Sequence, residues 1–439
     1  MTKGGIVASL VGLTMVLTGL VPTTITQSVA AGAATIPAPK LCTLPADGTV
    51  FETATPAQED LDPAAVNQAL LYAETHLRTS VQIFRNNCLV GTSLLNPVTA
   101  NIPWEIFSAT KSVVSILTGI AYDQHKLNLD DPIGMYLPEG PGWGDAAHRA
   151  ITIRDLLTAT AGLRESILAE FASIGTDPNI AQEALAQPIT HPPGTHFEYS
   201  QRDVDLLAFV VQRAVGEGLQ TFAQQYLFGP IGIPVNSYIW LKDRSGNTYG
   251  YANLFIPPTQ FAKLGLLMQN DGVWRGTRIV SSSYIQQAVA NDPTNPCYGF
   301  LFWHNGGDSC TGANIPAAET VAGPLIGSAP PDLFAMVGAL QQNNLMIPSL
   351  HMTVTWTGAL GDTAPNLSVL LSAGPTSNLY YNFFQLLMGG VLDVMVPNPG
   401  PYKTPPLDLD INPLNYLSPF VLLTDYFPNS TCNLLRCSP

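Results

Sequence analysis

The chain has 439 residues, a formal net charge of −14, 46% hydrophobic residues and only 11% charged ones. That length can bury a large core in one big domain or two. The acidic balance and the lack of any Lys/Arg run argue against nucleic-acid binding, and the low charge content predicts a surface rich in uncharged polar groups.

Residues 1–31 read as a secretory signal peptide. Lys3 precedes an apolar run from Ile6 to Val21, and small residues follow from Ser28 to Ala33. The run is shorter than the roughly 20 residues of a membrane span. Export with cleavage is therefore expected over a retained anchor, with no stable membrane insertion afterwards. The expected location is secreted or periplasmic, in the cell envelope. Six cysteines, Cys42, Cys88, Cys297, Cys310, Cys432 and Cys437, make an even set, so disulfides are expected in such a chain. Proximity suggests Cys297 with Cys310 and Cys432 with Cys437, which leaves Cys42 for Cys88. The spacings do not match a zinc ribbon or finger, so no metal is expected on them.

Residues 32–60, rich in Ala, Pro and Thr, read as an extended lead-in to a domain over 61–395. Asp62-Pro63 is a cap followed by a first-turn proline, and predicts a helix to about His76. Two strands, Ser80–Phe84 and Leu89–Thr92, flank a turn at Asn86-Asn87. Phe107-Ser108-Ala109-Thr110-Lys111-Ser112 then opens an apolar helix carrying Val113, Val114, Ile116, Leu117, Ile120 and Ala121. Apolar nearly all round, that helix is central and buried.

Ser108 and Lys111, three residues apart, project from one face of its first turn. The helix N-terminus favours a developing oxyanion beside Ser108. The same field, with burial, disfavours an ammonium at Lys111, and a neutral amine can take the hydroxyl proton. Ser-x-x-Lys is a weak motif alone, and the competing reading makes Ser108 an ordinary helix cap with Lys111 solvated. A lysine on the first turn of a buried helix is uncommon without a task.

Residues of about 151–290 are mostly helical by pattern. Thr152 and Asp155 resemble a capping box, and Val204–Val215 and Phe261–Met268 are periodic apolar stretches. Strands return at Tyr298–Trp303, Leu333–Leu340, Leu345–Ile347 and Met352–Trp356, and a final amphipathic helix spans Asn378–Met388. Strands at both ends with helices between predict an α/β (α+β) domain on an antiparallel or mixed sheet with a helical insertion. Residues 396–439 form a Pro-rich extension.

Other features carry less. The seven histidines, His76, His125, His148, His191, His196, His304 and His351, show no metal spacing. His191 and His196 flank a Pro-Pro turn and read as structural. Asp130-Asp131 reads as a turn cap. No Gly-x-Ser-x-Gly elbow, phosphate loop or dinucleotide fingerprint occurs. Asn366-Leu367-Ser368 and Asn429-Ser430-Thr431 are glycosylation sequons.

Taken together, FSATKSVVSILTGIA, LNLDDPIGMYLPE, ITIRDLLTATAGL, HPPGTHFEYSQRDVDLLAFVVQRAVG, LFGPIGI and FAKLGLLMQNDGVWRGTRIVS resemble, in order, segments of the penicillin-recognising serine hydrolases. This class C β-lactamase-like superfamily includes DD-peptidases, esterases and 6-aminohexanoate-oligomer hydrolases. The resemblance implies a β-lactamase/transpeptidase-like fold, an antiparallel sheet flanked by helices with a mostly helical second lobe. It makes Ser108 the nucleophile, Lys111 its proton acceptor, and Tyr199 of Glu198-Tyr199-Ser200-Gln201 the tyrosine of the Tyr-x-Asn motif. Gln201 stands where that motif has Asn, which puts the usual contact with a substrate amide in doubt. The segment Phe334–Gln342 resembles the Gly-x-x-Gly-Gln strand of esterase and amide-hydrolase relatives, with Gln341 in place of the second glycine. By that register Gly338 borders the substrate, and the N–H groups of Ala339 and Ser108 form the oxyanion hole. The lysine or histidine that would hold a β-lactam carboxylate is missing.

The expected activity is cleavage of an ester or amide through an acyl-enzyme on Ser108, acting on a small-molecule ester, amide or lactam without a cofactor. A β-lactamase or DD-peptidase, and an inactive binding protein on the same fold, are the rival readings.

Overall fold

The structure, a computed structural model, describes residues 39–46, 48, 50–164, 176–313, 320–362 and 377–403, together with Cys432 and Cys437. The expected signal peptide, both sequons and most of the C-terminal extension lie outside the described residues.

Helix α1 (Pro63–Thr75) begins as predicted. The Asp62 side chain accepts from the Ala64 amide at 2.9 Å, and Pro63 occupies the first turn, where no N–H is needed. The chain then enters strand β1 (Arg78–Arg85) and returns as β2 (Cys88–Thr92). The turn between them places Asn86 and Asn87 at φ 50° and 65°, a left-handed conformation that asparagine tolerates and a twisted hairpin needs. A disulfide from Cys42 to Cys88 ties the lead-in to β2; Cys297–Cys310 and Cys432–Cys437 are also paired.

Helix α2 (Ala109–Asp123) is buried at every position from Ala109 to Ala121, as its all-round apolar character requires. Helices α3 (Arg202–Val215) and α4 (Pro258–Gln269) follow. The remaining strands are β3 (Trp303–His304), β4 (Phe334–Gly338), β5 (Gln342–Ile347) and β6 (Met352–Gly358), and helix α5 spans Asn378–Met388. The main sheet runs β2-β1-β6-β5-β4-β3, antiparallel throughout.

Successive residues of β6 serve opposite faces, as the pleat dictates. Trp356 stacks on Tyr380 of α5, with ring centroids 5.7 Å apart and planes 5° from parallel. Thr355 donates to the Asn344 side-chain oxygen at 2.6 Å, and the Asn344 amide donates to the Phe261 carbonyl of α4 at 2.7 Å. Gly265 lets α4 lie this close, because a Cβ there would come within 2.2 Å of Asn344. A smaller sheet joins Trp104–Glu105, Leu254–Ile256 and Ile239–Trp240 just before the Ser108 turn, and had no clear pattern in sequence.

Two predicted strands are shorter than expected. Of the Tyr298–Trp303 stretch only Trp303 joins the main sheet, together with His304 just beyond it, because the chain turns at Leu301, with φ 60°. The aromatic side chains pack among themselves instead, Tyr298 lying edge-on to Phe197 at 5.1 Å and to Trp303 at 4.8 Å. The expected Leu333–Leu340 strand starts at Phe334 and stops at Gly338. Leu340 and Gln341 take φ of 55° and 59° and turn the chain into β5.

Candidate active site

The turn into α2 places Phe107 at φ 46°, a left-handed conformation costly for an aromatic residue. Ser108 follows at the N-cap, yet its hydroxyl makes no capping hydrogen bond. The ordinary-cap reading therefore does not describe this serine. Its Oγ lies instead 3.4 Å from Lys111 Nζ, one helical turn on. Ser108 is partly exposed, while Lys111 is buried.

Three elements converge on the lysine. Gln201, at the start of α3, offers its side-chain oxygen to Lys111 Nζ, and the Tyr251 carbonyl accepts from the same nitrogen at 3.3 Å. The amine lies 4.8 Å from the Tyr199 ring centroid and 5.2 Å from that of Tyr251. Tyr199 is buried, held between Tyr298 and Trp303. Ser112 donates to the Leu301 carbonyl at 2.6 Å and pins α2 to the turn carrying those aromatics.

The end of β4 meets the same place. A Cβ on Gly338 would come within 2.0 Å of the Ile106 carbonyl and 3.3 Å of the Ala109 nitrogen, so glycine lets β4 lie backbone to backbone against the Ser108 turn. Ala339 follows directly. Gln341 faces away into structure: its amide donates to Ser377 at 3.0 Å and its oxygen accepts from the Asp362 amide at 2.6 Å.

A buried ionic cluster behind the lysine, missed in the sequence, joins Arg202 and Asp205, one turn apart on α3, to Asp177 and Glu183 of an earlier segment. Arg202 pairs with Asp177 and Asp205, each at 3.0 Å, and with Glu183 at 3.5 Å. The Tyr249 hydroxyl donates to Asp177. Asp205 accepts from the Gly250 amide at 2.7 Å and the Tyr251 amide at 3.4 Å, and so helps position the Tyr251 carbonyl under Lys111. Burial pushes Asp205 up to about 7 and Glu183 up to about 9, in both cases against the pull of Arg202.

The structure thus brings together Ser108, Lys111, Gln201 and the Tyr199 ring, with Gly338 beside them. Gln201 spends its oxygen on the lysine. A surface groove of about 590 Å³, lined by Gln220, Gln224, Val235, Tyr238, Ile239 and Trp240, contains none of these residues.

A family model described as Beta-lactamase matches residues 79–332, which include Ser108, Lys111, Tyr199 and Gln201. "Protein flp" of Staphylococcus aureus (strain N315) is 23% identical over 145 residues, 32% of this chain and 29% of that protein. The chain spans under a third of the length of the first curated relatives it matches. Among solved structures, a candidate beta-lactamase from Bacteroides dorei DSM 17855 superposes with a TM-score of 0.57 at 15% identity, over 74% of this chain and 99% of the other. A candidate 6-aminohexanoate-dimer hydrolase from Bacillus anthracis gives a TM-score of 0.54 at 15% identity, over 79% and 88%. At these identities the two structures establish a shared fold.

Proposed function

Because this chain belongs to the Beta-lactamase family, we propose that it is an exported serine hydrolase that cleaves an ester or amide of a small molecule through an acyl-enzyme on Ser108. The observation that carries the reading is the 3.4 Å approach of Lys111 Nζ to a Ser108 hydroxyl that caps nothing.

In this reading Lys111 takes the Ser108 proton as Oγ attacks the substrate carbonyl. The N–H groups of Ser108 and Ala339 stabilise the tetrahedral oxyanion. Collapse breaks the bond to the leaving alcohol or amine, which departs with a proton passed through Lys111 and Tyr199. Water then attacks the acyl-enzyme, returns a proton to Ser108 Oγ and releases the acid. Gln201 holds the amine in place between proton transfers. Export is supported by the disulfide pairs, which persist in oxidising compartments. No helix among the described residues is long and apolar enough to cross a membrane.

The test is fluorophosphonate labelling of the full chain, followed by assays with a nitrophenyl ester and a chromogenic cephalosporin. Labelling and ester turnover that vanish in Ser108→Ala support the hydrolase. Turnover of the cephalosporin alone would favour the β-lactamase reading, and a wild type that neither labels nor turns over either substrate would favour a binding protein.

A further inference from the structure

The chain folds back on itself just before Tyr199. Pro192-Pro193-Gly194-Thr195 closes a tight turn, with the Thr195 amide donating to the Pro192 carbonyl at 3.2 Å and Gly194 at φ 78°. The turn lays the His191 ring against the His196 ring, with centroids 4.2 Å apart and planes 28° from parallel. Phe197 points into the core, and Glu198 on its other side is half-buried. One Glu198 oxygen lies 3.9 Å from His191 Nδ1, too far for a hydrogen bond, and this buried oxygen has no hydrogen-bond partner. Burial holds that carboxyl above its ordinary range, and the two histidines oppose the shift. One nitrogen from each imidazole and one carboxylate oxygen all lie within 4.8 Å of one another.

We propose that His191, His196 and Glu198 form a site for one divalent transition-metal ion, with Zn²⁺ the best match. Two imidazoles and a carboxylate are a three-ligand zinc set that leaves a fourth position for water. Nitrogen ligands select against the hard cations Ca²⁺ and Mg²⁺. Zinc–nitrogen bonds of about 2.0–2.1 Å need ligand atoms roughly 3.3 Å apart. The exposed His196 side chain can rotate to close that difference, since the turn already brings its ring beside His191. The ion would give the unpartnered Glu198 oxygen its missing neighbour. It would also staple the turn to the segment leading into Tyr199, because the Glu198 amide donates to the Ala159 carbonyl at 2.9 Å. The proposed hydrolysis does not use the ion, so the site stands or falls separately.

The test is calorimetric titration of the metal-stripped full chain with Zn²⁺, together with the visible spectrum of the Co²⁺ form. One ion per chain is expected, with the d–d bands of four-coordinate Co²⁺. His191→Ala and Glu198→Gln should each weaken binding by more than the roughly 10–100-fold lost when a mere outer-shell partner is removed. Circular dichroism confirms that each variant is folded, and His125→Asn, a histidine outside the cluster, should bind as the wild type does. Ser108→Ala should also bind normally. Absence of saturable binding, or unchanged affinity in folded His191→Ala or Glu198→Gln, overturns the proposal.

Discussion

The Arg78 guanidinium donates to the Leu340 carbonyl at 2.9 Å and to the neighbouring Gln341 carbonyl at 2.8 Å, although 262 residues separate Arg78 from Leu340. One buried cation on β1 thereby holds the left-handed turn that follows Ala339. Burial pulls its pKa down to about 10, so it stays charged at neutral pH and keeps both bonds.

Replacing Arg78 should disturb that turn. In Arg78→Met the buried Gln341 carbonyl loses its donor, at a cost of about 1–3 kcal/mol, while the Leu340 carbonyl keeps only the Gln342 side-chain amide at 3.1 Å. Arg78→Lys keeps the charge but not the planar guanidinium whose Nη1 donates to both carbonyls, and should recover stability better than turnover. If Ala339 donates to the oxyanion, kcat should fall in Arg78→Lys with KM nearly unchanged, measured with the nitrophenyl ester. Wild-type kcat in a destabilised Arg78→Lys would show that the turn has no catalytic part.

Lys111→Ala removes the proton acceptor and leaves the Ser108 hydroxyl. General-base assistance contributes roughly 10²–10⁴-fold, so kcat should drop by that order while KM changes far less. Steady-state kinetics on the ester would check this. A variant whose KM rises while kcat is kept would assign Lys111 to binding.

Stability should fall as pH rises through neutrality. Glu183 has its folded pKa raised from 4.5 to about 9, and Asp205 from 3.8 to about 7. Between the unfolded and folded values, the native state holds protons that the unfolded chain has released, so raising the pH favours unfolding across this window. The Asp205 contribution is lost by about pH 7 and that of Glu183 by about pH 9. Melting temperatures of the wild type should therefore decline as the pH is raised from about 5 to about 9, and Glu183→Gln, which cannot ionise, should show a shallower decline. Equal slopes in the two proteins would place the titration elsewhere.

Much of the architecture was legible because it is written locally. Helix α1 follows from Asp62 and Pro63, the β1–β2 hairpin from Asn86 and Asn87, and helix α5 from its apolar spacing. Burial of α2 follows from a run with no polar face. The shortened strands mark the limit of that reading. Leu340 looked like strand in sequence because nothing local shows a left-handed turn clamped by an arginine at the other end of the chain.

The candidate site divides the same way. Spacing along one helix places Ser108 beside Lys111, since residues three apart share a face whatever surrounds them. The motif segments, read in order, also point to Tyr199. The remainder required the folded chain. Gln201 as the lysine's acceptor, the Asp177–Glu183–Arg202–Asp205 cluster behind it, and the pairing of His191 and His196 beside Glu198 all depend on how distant or turn-linked segments approach. Sequence alone determined what one helix or one turn can encode in its own dihedral preferences and side-chain periodicity. Tertiary structure decided which charges and donors face each other, because those distances are set by packing across the whole core.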